Sequence, residues 1–151
     1  MELIRDFKDF IRLLDEHDVL YLVVGGVAVN ALGFVRATED VDFWIQRSPE
    51  NADRVLAALA EFGFDEFTRE DLLDPHAVLM LGRAPHRIDV LPGISGRDFD
   101  DCYPRRVEGR LGGVRIPLIG LEDLLINKRA AGRSKDMADI EEFDRRRSKD
   151  S

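Results

Sequence analysis

Apolar positions along the chain alternate between the spacing of helices and the continuous runs of buried strands. Through residues 2–17 they recur every three or four positions, which predicts an amphipathic helix. The β-branched run 19–24 predicts a buried strand, and residues 26–32 predict a short helix that ends at Gly33. A second strand is predicted over 41–46, so the chain opens as helix, strand, helix, strand.

The middle of the chain contains clear signals for the two ends of a helix. Ser48, followed by a proline, is typical of a helix start, and Gly63 is typical of a helix end. Residues 65–76 are acidic and have no clear period, so no element is assigned to them. The apolar runs 77–81 and 87–91 predict a β-hairpin with a longer loop.

The last third of the chain is predicted to contain a second hairpin and two helices. Prolines and glycines over 92–104 indicate mostly loop, and the hairpin is predicted over 107–119. Helical patterns cover 121–131 and 134–143. The highly charged residues 145–151 indicate a frayed C-terminal tail.

This order of elements predicts one domain over residues 1–144, in the α/β (α+β) class, with a mixed β-sheet flanked by helices. The composition agrees, because 44% hydrophobic and 34% charged residues are typical of a soluble globular protein. No apolar run is long enough to span a membrane, and the first residues lack the pattern of a signal peptide. We therefore expect no membrane association and a cytoplasmic location.

Charge and cysteine content narrow the expected partners. The formal net charge of −8 argues against broad binding to nucleic acid, since that binding depends on many basic contacts to phosphate. Cys102 is the single cysteine, so no internal disulfide can form.

The chemistry suggested by the sequence lies in three aspartates on apolar strands. Asp40 and Asp42 occupy alternate positions of one predicted strand and therefore point to the same face, and a neighbouring strand could bring Asp89 beside them. Three adjacent carboxylates repel one another unless a cation neutralises them, and such oxygen-rich sites suit Mg²⁺ or Mn²⁺. The pattern predicts an enzyme acting on a nucleoside triphosphate. The alternative is a solvent-exposed strand end, with each aspartate paired to an arginine such as Arg36 or Arg87.

Gly25 and Gly26 directly follow the first predicted strand. They could form a tight turn between strand and helix, or let phosphate approach the backbone N–H groups closely. The pair does not match the phosphate-loop or dinucleotide-binding motifs. Trp44 shares the face of Asp42 and could border a nucleotide, although packing in the core is the favoured interpretation.

The glycine pair after an apolar run, the Asp-x-Asp strand and the third aspartate together resemble the DNA polymerase β-type nucleotidyltransferase superfamily. This resemblance runs from Val24 to Val90. Residues 116–139 resemble the endings of small bacterial nucleotidyltransferases and of AbiEii-type abortive-infection toxins. The resemblance implies a minimal nucleotidyltransferase with the palm-like fold of the superfamily.

The resemblance also implies a role for each acidic residue. Asp40 and Asp42 would hold a divalent ion that also binds the triphosphate. Asp89 would help to hold a second ion, and would lower the pKa of an acceptor hydroxyl or take its proton. A nucleoside monophosphate would pass to the acceptor and pyrophosphate would leave, while Gly25 and Gly26 would hold the phosphates.

Three basic residues are candidates for contact with the nucleotide phosphates, because positive groups offset the charge that develops there. They are Lys128, Arg36 and Arg133. Lys128 is the first choice because it lies in the family-like helix, although it could instead complement the helix dipole. Arg133 could instead form a structural ion pair with Asp136 or Asp139.

The sequence leaves three alternatives for the acceptor: a protein side chain, an RNA end or a small molecule. Antibiotic nucleotidylylation is disfavoured, because the relatives that do it carry Trp and Asp shortly after the glycine pair, and this chain has neither there. The helical ending leaves a toxin, or an antitoxin-type partner-binding module, as another alternative. A short chain has little room for an acceptor-binding domain, so a homodimer or a partner chain could complete the cleft.

Overall fold

The computed structural model describes residues 3–31, 40–83 and 86–150. Their helices are α1 Leu3–Glu16, α2 Gly25–Ala31, α3 Pro49–Phe62, α4 Arg69–Leu73, α5 Phe99–Cys102, α6 Leu121–Ala131 and α7 Ser134–Asp150, with a short 3₁₀ helix Tyr103–Arg105. Their strands are β1 Tyr21–Val24, β2 Asp40–Ile45, β3 Leu79–Arg83, β4 His86–Leu91, β5 Val107–Leu111 and β6 Val114–Leu118.

The strands form one six-stranded sheet in the order β3-β4-β2-β1-β6-β5. Two hairpins, β3–β4 and β5–β6, lie at its edges, as the sequence predicts. Between them β4 runs parallel to β2, β2 antiparallel to β1, and β1 parallel to β6. The predicted mixed sheet flanked by helices is therefore confirmed.

The two faces of β2 have different neighbours. On one face the Phe43 ring meets the Phe10 ring of α1 with centroids 5.1 Å apart, and Phe10 meets Phe62 of α3 at 5.1 Å. Phe10 and Phe43 belong to the buried hydrophobic core, and Phe62 is partly buried against it. On the other face Trp44 packs edge-on against Phe99 of α5 at 5.2 Å. Asp40 and Asp42 share this second face, because side chains alternate along a strand.

Local signals explain the limits of α3. The Ser48 hydroxyl accepts a hydrogen bond from the backbone N–H of Asn51, so one of the unpaired N–H groups of the first turn is satisfied. At the other end Gly63 has φ of 103°, a left-handed conformation that glycine adopts without strain. Both predicted ends of this helix are confirmed.

Three sequence-based assignments need correction. Within residues 65–76, which received no element, Thr68 and Asp71 form a capping box that begins α4. The predicted loop 92–104 contains α5 and the 3₁₀ helix. The tail predicted to be frayed from residue 145 is helical to Asp150, and an ion pair of Arg145 with Glu142 one turn earlier supports it.

Among the described helices, none has the length and apolar character needed to cross a membrane.

Candidate active site

The three aspartates predicted to act together lie side by side on the second face of the sheet. Because β2 and β4 are parallel, Asp42 is directly opposite Asp89, and Asp40 is opposite Arg87. The antiparallel pairing of β1 with β2 places Val24 opposite Asp42, so the glycine pair that follows β1 arrives beside the carboxylates. The juxtaposition expected from the sequence is therefore present.

Gly25 packs directly against one of these carboxylates. Its φ is +71°, and a Cβ atom added to it would lie 2.1 Å from Oδ2 of Asp42, which is far closer than non-bonded atoms allow. The position therefore needs glycine for its backbone conformation and for the space that Asp42 occupies. Gly25, Gly26 and the three aspartates line one cleft, which has a volume of about 150 Å³.

The environment of Asp42 opposes its ionisation. Burial, followed by the neighbouring charges of Asp89 and Asp40, raises its pKa to about 6. The ammonium group of Lys135 acts in the opposite direction but is outweighed. Burial and the two neighbouring carboxylates together therefore favour the protonated form of Asp42.

Arg87 supplies the cation that contacts the cluster most closely. Its Nε donates to Oδ1 of Asp89 at 2.7 Å, its Nη2 donates to Oδ2 of Asp89 at 3.0 Å, and the same Nη2 lies 3.4 Å from Oδ2 of Asp40. The alternative in which arginines pair with the aspartates is thus correct for Arg87, which pairs with Asp89 and Asp40. Within the described residues, no group of three or more His, Cys, Asp or Glu side chains is arranged to hold a metal ion.

Lys128 and Arg133, two of the predicted phosphate contacts, line the cleft but are bound to acidic residues. Lys128 is buried, and its Nζ donates to Asp139 at 2.8 Å and to Asp136 at 3.3 Å. Arg133 donates to both oxygens of Asp136, at 2.6 and 3.3 Å. The structural ion pair considered for Arg133 is present, and Lys128 connects α6 to α7.

Asp136 is the centre of this second ionic group. Its side chain is fully buried, and burial alone would raise its pKa. The hydrogen bonds from Arg133 and Lys128 outweigh burial, so the pKa of Asp136 lies below its ordinary value. It therefore stays ionised and holds the start of α7 against the end of α6.

The cleft also contains a basic residue that was not among the predicted site residues. Lys135 is exposed, lines the cleft and lies near enough to Asp42 to affect its pKa. It is the second residue of α7, in a charged stretch, so its proximity to Asp42 depends on how α7 packs and has no local signal. The predicted contact Arg36 lies outside the described residues.

Trp44 lies two positions along β2 from Asp42 and is 1% exposed. The core interpretation is therefore the correct one for this residue. Beyond it a separate cavity of about 530 Å³ is lined by residues that include Gln46, Arg47 and Arg97, without any of the three aspartates.

A mixed sheet that brings a glycine turn and three carboxylates from two parallel strands together is the arrangement of a nucleotidyltransferase. The chain belongs to the family described as "Nucleotidyl transferase of unknown function (DUF2204)", whose model matches residues 3–150. This membership agrees with the resemblance to the DNA polymerase β-type superfamily.

Two solved structures share the fold. One is a candidate nucleotidyltransferase, TM1012 from Thermotoga maritima, with a TM-score of 0.61 and 15% identity over 92% of this chain and 90% of the other. The second is the antibiotic-resistance factor ANT(2'')-Ia, with a TM-score of 0.54 and 15% identity over 81% of this chain and 67% of the other. A search of curated proteins gave no match.

Proposed function

We propose that this nucleotidyltransferase moves a nucleoside monophosphate from a nucleoside triphosphate to a hydroxyl group, with divalent cations held by Asp40, Asp42 and Asp89. The observation that carries the proposal is the pairing of Asp42 with Asp89 on adjacent parallel strands, with Asp40 on the same face. Carboxylates crowded in this way need a counter-charge. The pKa of Asp42 is raised first by burial and then by Asp89 and Asp40, so a cation bound beside it would favour its ionised form.

The donor set fits Mg²⁺ or Mn²⁺, because all three residues offer hard carboxylate oxygens. A bound cation would withdraw charge from the reacting phosphate, and two of them would cover both the attacking and the leaving oxygen. Metal dependence deserves a direct test, since Arg87 contacts two of the three carboxylates.

The remaining steps involve residues of the chain itself. The acceptor oxygen forms a bond to the α-phosphorus, the bond from that phosphorus to the β-phosphate oxygen breaks, and pyrophosphate leaves. In this proposal Asp89 takes the hydroxyl proton, which requires that Arg87 releases at least one of its oxygens. The phosphates would lie in the cleft lined by Gly25 and Gly26, and Lys135, which lines the same cleft, would offset the negative charge of the leaving group.

The cleft volume of about 150 Å³ is below the roughly 300–1,000 Å³ of ordinary ligand pockets. We propose that a second copy of the chain or a partner chain completes the acceptor side. Size-exclusion chromatography coupled to light scattering, with and without nucleotide and Mn²⁺, tests for a second copy.

The test of the function uses the purified protein, Mg²⁺ or Mn²⁺, each of the four α-³²P-labelled nucleoside triphosphates and fractionated cell extract. Sensitivity of the label to protease or RNase, and thin-layer chromatography, identify the acceptor as protein, RNA or small molecule. Asp42→Asn should reduce the labelled product by about 1,000-fold or more. The matched control is Asp53→Asn, an exposed aspartate paired with Arg69, which should label as the unchanged protein does.

The structural similarity to ANT(2'')-Ia favours including antibiotics as acceptors in the same assay. Against this option, Val27 and Asn30 stand where relatives with that activity carry Trp and Asp. A toxin or antitoxin-type binding module remains the alternative from another class. Tight capture of a partner protein without any binding of nucleotide and metal in calorimetry would replace our proposal with that one.

A further inference from the structure

Arg87 sits on β4 two positions before Asp89, so both side chains project from the same face of the strand. Its guanidinium takes both oxygens of Asp89 in the bidentate arrangement typical of strong arginine–carboxylate pairs. One of its nitrogens also reaches Asp40 on the neighbouring strand. A single cation thus spans two of the three carboxylates.

A divalent cation would need the same oxygen atoms. Lone pairs that accept N–H bonds from Arg87 are not available to a metal, and a metal next to the guanidinium would repel it. The guanidinium of Arg87 and a divalent cation therefore compete for the carboxylates of Asp89 and Asp40.

We propose that Arg87 is an internal counter-ion that a divalent cation displaces, and that the released guanidinium then binds a phosphate of the nucleotide. The inference rests on the proposed function. Arg87 lines the same cleft as Gly25, Gly26 and Lys135, and its side chain is 29% exposed, so it has room to turn away from Asp89. The planar fork of arginine suits phosphate oxygens as well as carboxylate oxygens.

This exchange makes cation and nucleotide binding cooperative. Without nucleotide, a cation must break the pair of Arg87 with Asp89 and leave the guanidinium without a partner. With nucleotide present, the phosphate replaces the lost carboxylate. By linkage, whatever factor the nucleotide adds to the affinity for the cation, the cation adds to the affinity for the nucleotide.

The experiment measures Mn²⁺ binding alone, from the electron paramagnetic resonance signal of free Mn²⁺. Arg87→Ala should bind Mn²⁺ about 10-fold more tightly than the unchanged protein, within the range typical of coupled sites. The Mn²⁺-loaded variant should bind a non-hydrolysable nucleoside triphosphate more weakly. Arg115→Ala is the matched control, because Arg115 is also a strand arginine paired with an acid, Glu108, but it is 74% exposed and is not among the residues that line the cleft.

Thermal unfolding gives a second readout that needs no activity. In EDTA, Arg87→Ala should melt at a lower temperature than the unchanged protein, because the carboxylates lose their nearest counter-charge. Mn²⁺ should raise its melting temperature by more than that of the unchanged protein. Arg87→Lys keeps the positive charge but not the planar guanidinium, so its melting temperatures should lie between those of the unchanged protein and Arg87→Ala. It replaces the alanine variant in the test if that variant does not fold.

Equal Mn²⁺ affinity in Arg87→Ala and in the unchanged protein would overturn this inference and leave the proposed function standing. Absence of Mn²⁺ binding in both proteins, with and without nucleotide, would instead overturn the proposed function and this inference with it.

Discussion

Two ionic clusters meet at one cleft, where the second contributes only its two basic residues to the lining, and they differ in charge balance. The carboxylate cluster, Asp40, Asp42 and Asp89, has Arg87 as its directly bonded cation. The elbow cluster, between α6 and α7, pairs two bases with two acids and consists of Lys128, Arg133, Asp136 and Asp139. The first has a raised pKa at its centre, at Asp42, and the second has a lowered one, at Asp136.

The difference separates chemistry from structure. A balanced, hydrogen-bonded group such as the elbow cluster holds two helices together. Removing one member leaves the opposite charge buried without its counter-ion. A cluster with more acids than bonded cations is unfavourable for folding. Binding of a positively charged ligand would explain why such a cluster is retained. Substitutions in the carboxylate cluster should therefore affect activity, whereas substitutions in the elbow cluster should affect stability.

Asp42→Asn gives the largest expected effect on activity. Removing one carboxylate from the proposed cation site should reduce labelling in the transfer assay by about 1,000-fold or more, equal to roughly 4 kcal/mol of transition-state stabilisation. The fold should stay intact, or become more stable near neutral pH, because repulsion from Asp89 and Asp40 is relieved. A large loss of stability in urea would show that Asp42 has a structural role and would contradict the comparison.

Lys128→Met should produce the largest loss of stability. It leaves Asp136, which is 0% exposed, with Arg133 as its remaining bonded cation, and breaking such a buried pair costs about 3–5 kcal/mol. Urea unfolding measures the change. Lys135→Met is the control, since an exposed lysine should change stability by less than about 0.5 kcal/mol while weakening nucleotide binding. Equal losses in the two variants would remove the distinction between the clusters.

Gly25→Ala tests how the backbone supports the carboxylate cluster. The left-handed conformation alone costs roughly 1–2 kcal/mol for alanine. Gly113→Ala is matched for this cost, since Gly113 has φ of +85° and nothing within 4 Å of an added Cβ. Gly25→Ala should lose more stability than its control and should also lose activity, because Asp42 must move. Equal stability and unchanged transfer would show that Asp42 is not held by this contact.

A further effect concerns pH. The pKa of Asp42 is about 6 when folded, above its ordinary value of 3.8, so between these values the folded chain binds a proton that the unfolded chain does not. Its contribution to stability therefore grows as pH falls from about 6 to 4, by up to about 1.4 kcal/mol for each pH unit. Melting temperatures from pH 4 to 8 should show Asp42→Asn most stabilised at high pH and equal to the unchanged protein near pH 4. A constant difference would contradict the raised pKa.

Much of the fold was predictable because its signals are local. Ser48 and Gly63 mark the ends of α3 through their own hydrogen bonding and backbone conformation. The alternation of Asp40 and Asp42 with apolar residues is enough to predict that both side chains project from the same face of β2. The capping box of Thr68 and Asp71 was also present in the sequence, but a five-residue helix lacks the length to show a period.

The rest depended on contacts between distant segments. The parallel pairing of β2 with β4 sets Asp42 against Asp89, and no property of either strand alone specifies that register. Arg87 contacts Asp40 across 47 positions of sequence for the same reason. Burial of Lys128 could not be read from a helix end, because it results from how α7 folds back on α6.

Trp44 is the single tryptophan of the chain and is buried against Phe99. It lies two positions from Asp42 on β2, on the same face of the strand. Its emission therefore comes from one defined environment next to the carboxylate cluster. The protein carries its own fluorophore at the site, so loading of the cleft by cation or nucleotide can be followed optically without attaching a dye.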